Sequence, residues 1–182
     1  AAENRDYVTS IDTKQVSIGQ GAVVIQTAKY LKENPNVTMD ELIKEVGNIC
    51  DSTRMSFIPG KLEYLRAGGR VSNAVFIGGK ILRVHPSIEI ENGYLVAKKK
   101  YRGKMEGIVT KLIEEYSNTQ NLDKKEVYLL WSIGLPDTVR KAAEDKAKEM
   151  GFENISWMQT GCVITTHGGP GSFGIVGFSK AV

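Results

Sequence analysis

An alternation of apolar and polar residues constrains the fold most strongly between residues 82 and 100, in the segment LRVHPSIEIENGYLVAKKK. Side chains of a β-strand point to opposite faces in turn, so this period of two indicates two half-buried strands. Glu91-Asn92-Gly93 separates the two runs, and Asn-Gly is a strong signal for a tight turn between antiparallel strands. The segment therefore predicts a β-hairpin that belongs to a larger sheet.

Two helices are predicted before the hairpin. In the first, from residue 17 to 34, Ser17 is the expected N-cap residue and Asn34-Pro35 ends the helix; the expected apolar face consists of Val23, Val24, Thr27, Ala28 and Leu31. In the second, from residue 38 to 53, Thr38 and Glu41 have the spacing of a capping box.

The remaining segments alternate between strand and helix patterns. Strands are predicted at residues 7–12, 55–59, 125–134, 155–160 and 162–167, and helices at residues 60–70, 73–82, 104–118 and 135–151. This alternation predicts an α/β fold with α+β character, in which helices pack on a mixed β-sheet.

Composition narrows the classes of function. The 182 residues contain 24 basic and 21 acidic side chains, well mixed, for a formal net charge of +3, which gives no footprint for wholesale binding of nucleic acid. Cys50 and Cys162 have no partner at metal-ligand spacing and are expected to be small apolar residues. No apolar run approaches the ~20 residues that span a bilayer, so a cytoplasmic protein is expected.

One of the two histidines stands in the segment ITTHGGPGSFGI, between the last predicted strand run and another apolar run. Glycines on both sides of His167 would let a ligand approach main-chain N–H groups. Gly-Pro-Gly is also a strong turn signal, so His167 either contributes to a ligand site or only ends a strand at a turn.

Five segments appear in an order that resembles the DegV family of bacterial fatty-acid-binding proteins: SIDTKQVSIGQG (10–21), KLEYLRAGGRVS (61–72), GKILRVHPSIEIENG (79–93), KYRGK (100–104) and THGGPGSFGI (166–175). The resemblance implies a two-domain protein that encloses one long-chain fatty acid. It also implies that a separate ATP-dependent subunit of a fatty acid kinase phosphorylates the carboxylate, so that this protein performs no chemistry and holds no cofactor or metal.

The family's first domain is expected to precede this segment of chain. The resemblance therefore divides the chain into residues 1–52, as the end of the first domain, and residues 53–182, as the second domain, which holds the lipid tail. The chain differs from the family pattern at His85, where relatives usually have lysine, and at Gly103, where they usually have threonine.

The resemblance assigns the fatty-acid carboxylate to His167, Gly168 and Gly169. Gly171 would add backbone freedom, and Thr166 and Ser172 are possible further donors.

Two arginines have two interpretations each. Arg70 either contacts the ligand or a partner, or clamps the end of a helix. Arg102 is either a solvated surface charge or part of the surface that meets the kinase.

Other residues receive simpler interpretations. His85 is expected to be a packing residue, and Asp12 and Thr13 are expected to form a turn. Candidates for the wall of the tail pocket are Val75, Phe76, Ile77 and Ile81. The alternative functions are a small-molecule enzyme of the dihydroxyacetone-kinase type, in which His167 attacks a carbonyl, and DNA-binding regulation, which the low net charge does not favour.

Overall fold

The computed structural model describes residues 8–70, 84–91 and 93–180. These residues form six helices and six strands, in the order α1 (Ile18–Glu33), α2 (Met39–Ser52), β1 (Thr53–Ile58), α3 (Leu62–Ala67), β2 (Val84–Glu91), β3 (Tyr94–Arg102), α4 (Met105–Thr119), β4 (Glu126–Trp131), α5 (Asp137–Glu149), β5 (Asn154–Gln159), α6 (Cys162–Gly168) and β6 (Phe173–Phe178).

All six strands form one sheet, in the order β3-β2-β1-β6-β4-β5. Strands β4 and β5 pair in parallel, and the other neighbours pair antiparallel. The sheet is therefore mixed, as the sequence predicts. The predicted hairpin is confirmed as β2 and β3, and Gly93 takes the positive φ of 80° that its turn requires.

Alternating side chains of the strands face two different cores. Val127 and Leu129 of β4 pack under α4 and α5, whereas Tyr128 and Leu130 face the side of the sheet where α1 lies. Along β1, Ile58 faces the first core and Met55 and Phe57 face the second. The second core lies beneath the cavity described below.

Helix α1 confirms the first predicted helix, but of its expected apolar face only Val23 is buried. Gly19, Ala22 and Val23 are buried. Val24 and Leu31 are exposed, and so is Ala28. Gly19 and Ala22 allow the helix backbone to approach the sheet closely, and Ile18, Val23 and Ile25 add larger side chains to the contact.

Ser17 precedes α1 as predicted, but its side chain makes no capping hydrogen bond. Ser17 instead occupies a turn in which Gly19 N donates to Val16 O at 3.0 Å, with φ 53° and ψ −126°. These angles match the second position of a type II′ turn, which favours glycine.

Helix α2 begins with the predicted capping box. Glu41 N donates to Thr38 Oγ1 at 3.4 Å, and Thr38 N donates to Glu41 Oε2 at 2.9 Å. The backbone N–H groups of Thr38 and Glu41 are thus both satisfied, each by the side chain of the other residue.

Two strand predictions are wrong, and one helix prediction lies outside the described residues. Residues 8–12 form no strand, and residues 162–167 belong to helix α6. In α6, Thr165 Oγ1 donates to Gly161 O at 3.0 Å and Thr166 Oγ1 donates to Cys162 O at 2.9 Å. Both threonine hydroxyls thus bond to the carbonyl four residues earlier, a pattern that occurs in helices. The helix predicted at residues 73–82 is not described.

Candidate functional site

A cavity of about 240 Å³ opens on the α1 side of the sheet, where β1 and β4 end. Its described wall is mainly apolar and also carries hydroxyl, histidine and arginine side chains. The described lining residues are Val16, Ser17, Met55, Phe57, Leu65, Arg70, Leu95, Leu130, Ser132, Thr160, Val163, Ile164, Thr165, His167, Gly168, Gly169 and Ser172. The cavity therefore combines an apolar body with a small polar region.

His167 lies at the end of α6, against the end of α3. Its Nδ1 atom is buried and has no hydrogen-bond partner among the described residues. A Cβ atom on Gly68 would overlap the imidazole, so the glycine that ends α3 makes room for the histidine. The Nδ1 side of the imidazole therefore packs against Gly68, while His167 as a residue also lines the cavity.

The loop between α6 and β6 depends on glycine at two positions. Gly169 and Gly171 have φ values of 83° and 78°. A Cβ on Gly169 would also lie 2.9 Å from Cδ2 of Tyr64. The predicted backbone freedom is thus confirmed at these two positions, whereas Gly168 is a helical residue whose φ is not positive.

Hydroxyl groups of the wall donate to the protein backbone. Ser172 Oγ lies 2.8 Å from Gly168 O and 2.8 Å from Gly169 O, and Ser132 Oγ donates to Gly169 O at 2.9 Å. Thr160 and Thr165 share a hydrogen bond of 2.9 Å. Ser172, a possible extra donor by sequence, therefore has its proton engaged within the protein.

The structure brings Arg70 to the same cavity as His167, and it leaves Arg102 elsewhere. Arg70 Nη1 donates to Gly68 O at 2.6 Å, so this side chain both clamps the end of α3 and reaches the cavity wall. Arg102 is exposed at the end of β3 and does not line the cavity. Thr166 is exposed and is also absent from the described wall.

The simpler interpretations have mixed outcomes. Asp12 and Thr13 form the predicted turn, because Lys14 N donates to Asp12 Oδ1 at 2.9 Å and Gln15 N donates to Thr13 Oγ1 at 3.3 Å. His85 is half-buried in β2, and burial lowers its pKa below the ordinary value, as suits a packing residue.

The two cysteines differ from each other. Cys50 is half-buried, and burial raises the pKa of its thiol. Cys162 is exposed at the first residue of α6, so it is not the packed apolar residue that the sequence suggests.

The described residues show neither a metal-binding cluster nor a helix that could span a membrane. No group of three or more His, Cys, Asp or Glu side chains in residues 8–70, 84–91 and 93–180 could hold a metal ion. No helix in those ranges has the length and apolar character needed to cross a bilayer. Val75, Phe76, Ile77 and Ile81 lie outside the described residues.

Most of the cavity wall was not identified from sequence. Met55 and Phe57 alternate along β1, and this pattern could have placed both on one face. The sequence contains no comparable signal for Ser132 or Thr160, because their position at the cavity depends on strands that pair far along the chain.

Comparisons with known proteins agree with this architecture. A fatty acid-binding protein of Thermotoga maritima is 30% identical over 164 residues, which are 86% of this chain and 55% of the relative. One similar solved structure is a DegV family protein from Thermus thermophilus, described for its fatty acid binding. It has a TM-score of 0.81 at 22% identity, and the match covers 98% of this chain and 64% of the Thermus chain. The fatty acid kinase B3 protein of Streptococcus pneumoniae, loaded with linoleic acid, has a TM-score of 0.83 at 12% identity. The match covers 98% of this chain and 63% of the Streptococcus chain.

The chain spans 55–61% of the length of eight curated relatives that it matches. The family model described as "Uncharacterised protein, DegV family" matches residues 1–180, and the chain therefore belongs to the DegV family.

Proposed function

We propose that this chain belongs to a protein that binds one long-chain fatty acid, with the carboxylate held at His167, Gly168 and Gly169. The observation that carries the proposal is the cavity, whose described wall is mainly apolar and includes His167 among its few polar side chains. Arg70 lines the same cavity and is proposed as a further contact for the head group.

The relatives support a fatty acid as the ligand. The Thermotoga maritima relative is named a fatty acid-binding protein, and the Streptococcus pneumoniae structure is loaded with linoleic acid. Burial of an acyl chain contributes about 0.8 kcal/mol for each CH2 group, so the tail would supply most of the affinity.

The apolar wall favours this proposal over an enzyme of the dihydroxyacetone-kinase type. A small ketose carries several hydroxyl groups, and each would need a hydrogen-bond partner on burial. Met55, Phe57 and Leu130 offer none. Attack of His167 on a carbonyl would moreover leave the apolar part of the cavity unused.

We also propose that the bound carboxylate is presented to a separate ATP-dependent kinase subunit, and that this chain itself performs no chemistry and holds no cofactor. The name of the Streptococcus pneumoniae neighbour, a fatty acid kinase B3 protein, supports this partnership. Arg102 is proposed as part of the docking surface. The proposed division into residues 1–52 and 53–182 coincides with the junction of α2 and β1.

The experiment that tests the function starts from the full-length protein. We expect mass spectrometry of lipid extracted after denaturation to find one free fatty acid per protein, and addition of a kinase subunit and ATP to give acyl phosphate. A protein that neither contains nor binds fatty acid would contradict the proposal. A stable ketose adduct on His167 would favour the alternative enzyme.

A further inference from the structure

We propose that Ser132 and Ser172 are positioning residues that hold His167 in place for the head group. This inference rests on the proposed fatty-acid binding, and neither serine was assigned this role from sequence. Both side chains are almost fully buried, with 1% and 4% of their surface exposed. They stand at the end of β4 and just before β6, two strands that are neighbours in the sheet.

The two serines are linked to each other by main chain and side chain. Ser172 N donates to Ser132 Oγ at 2.7 Å, and Ser132 N donates to Ser172 O at 3.1 Å. Each serine is therefore held in position by the other, and both are anchored to the sheet.

The hydroxyl protons of this pair point at the residues that follow His167. Ser132 Oγ donates to Gly169 O at 2.9 Å, and Ser172 Oγ is within 2.8 Å of both Gly168 O and Gly169 O. The last carbonyl groups of a helix have no partners within the helix. At the end of α6 the two serines supply these partners.

A third segment joins the same cluster. Gly60 N, in the turn between β1 and α3, donates to Ser172 Oγ at 3.0 Å and to Gly168 O at 3.2 Å. The cluster thus connects the ends of β1 and β4 with the end of α6. A seven-residue helix has little stability of its own, so these contacts determine where α6 ends and where the imidazole lies.

The hydrogen-bond directions argue against direct ligand contact by the serines. Each hydroxyl has one proton, and in both serines that proton is directed to a backbone carbonyl. A carboxylate accepts hydrogen bonds and would find no free proton here. The serines therefore act on the head group through His167, while the apolar wall that holds the tail is formed by other residues.

Ser172→Ala in the full-length protein is the sharpest test, because Gly60 N keeps Gly168 O as an acceptor after the hydroxyl is removed. The affinities for a long-chain fatty acid and for the fatty alcohol of the same length are measured side by side. We expect the affinity for the acid to fall about tenfold, as for the loss of one hydrogen bond to a charged group, and the affinity for the alcohol to change less than about twofold.

Ser87→Ala is the matched control. Ser87 is 1% exposed and its Oγ accepts from Lys99 N at 3.1 Å, but it lies in β2 outside the described cavity wall. We expect Ser87→Ala to lower the urea midpoint about as much as Ser172→Ala does, and to leave the affinities for the acid and the alcohol unchanged. Ser132→Ala is the second variant at the site, and the same selective loss is expected from it.

The outcomes separate the two proposals. Equal losses for acid and alcohol, or no loss for either, would overturn the positioning role while leaving fatty-acid binding intact. Failure of the unmodified protein to bind either lipid would overturn the proposed function itself, and the positioning role with it.

Discussion

His167 carries a buried Nδ1 atom that no group in the described part of the chain satisfies. Unsatisfied polar atoms are uncommon in protein interiors, and His167 is also one of the few polar side chains that line the cavity. We expect His167→Ala in the full-length protein to weaken fatty-acid binding by about 1.5–3 kcal/mol, the worth of a hydrogen bond to a charged group, measured by calorimetric titration. Its control is His85→Ala, because His85 lies in β2 outside the described cavity wall. Unchanged affinity after the first substitution would reduce His167 to a turn residue.

Ser17 is a residue at which the sequence predicted the position and missed the conformation. With φ 53° and ψ −126°, the backbone adopts angles that glycine tolerates and serine does not favour. We expect Ser17→Gly to raise the free energy of unfolding by about 1 kcal/mol in urea titrations without ligand. Gln20→Gly, inside α1, should instead lower it by about the same amount. A lower stability of Ser17→Gly would contradict the strained turn.

At the scale of one element, the start of α2 depends on a reciprocal pair. Hydrogen bonds from the backbone and then the side chain of Thr38 lower the pKa of Glu41 below its ordinary value. A lowered pKa in the folded state contributes stability that is present above the unfolded pKa and is lost as pH falls through the folded one. We therefore expect wild type to be more stable than Glu41→Gln at neutral pH, and this difference to disappear in acid.

Thermal unfolding of wild type and Glu41→Gln, from neutral pH into acid, measures the difference in stability. Thr38→Ala serves as the companion variant and should cost about 0.5–2 kcal/mol at neutral pH, as for other lost N-caps. An advantage of wild type over Glu41→Gln that persisted unchanged in acid would show that the Glu41 charge is not responsible.

Elements with strong local signals were predictable from sequence. The sequence carries Asn-Gly between β2 and β3 and a capping-box pair at the start of α2, and the hairpin and the capping box are both confirmed. Helix α6 was predicted as a strand because a short run of apolar and β-branched residues has no decisive period. The end of α6 is held by contacts with Gly60 and Ser132, which are distant in sequence and which a local pattern does not contain.

At the scale of the whole molecule, the polar end of the site was more predictable than its wall. His167, Arg70, Gly168 and Gly169 were identified from their motifs, and the structure brings them to one cavity. The apolar wall and the serines come from β1, β4 and β6, which pair across 40 or more residues. Such pairings depend on the global topology, which local periodicity does not contain.

The proposed kinase interaction also belongs to the whole molecule, because it requires a surface that is separate from the cavity. The basic run around Arg102 occupies the second half of the edge strand β3 and the residues just after it. Lys98 pairs with Glu91, and Lys99 pairs with Glu115 at 2.8 Å, so these charges are partly compensated. Lys100, Arg102 and Lys104 are exposed and form no ion pair with the described residues. They leave positive charge available for a partner.

We expect Arg102→Ala to leave fatty-acid affinity unchanged, to slow acyl-phosphate formation and to make the remaining rate less sensitive to salt. Charges at the rim of an interface act mainly on the association rate, and salt screens them over about 8–10 Å at ordinary ionic strength. The assay follows phosphorylation of the bound fatty acid with kinase subunit and ATP at several salt concentrations.

Lys44→Ala on α2, also an exposed cation, is the control and should behave as wild type. Equal rates and equal salt dependence for Arg102→Ala would remove Arg102 from the docking surface, and acyl phosphate formed without any kinase subunit would show that the protein is itself an enzyme.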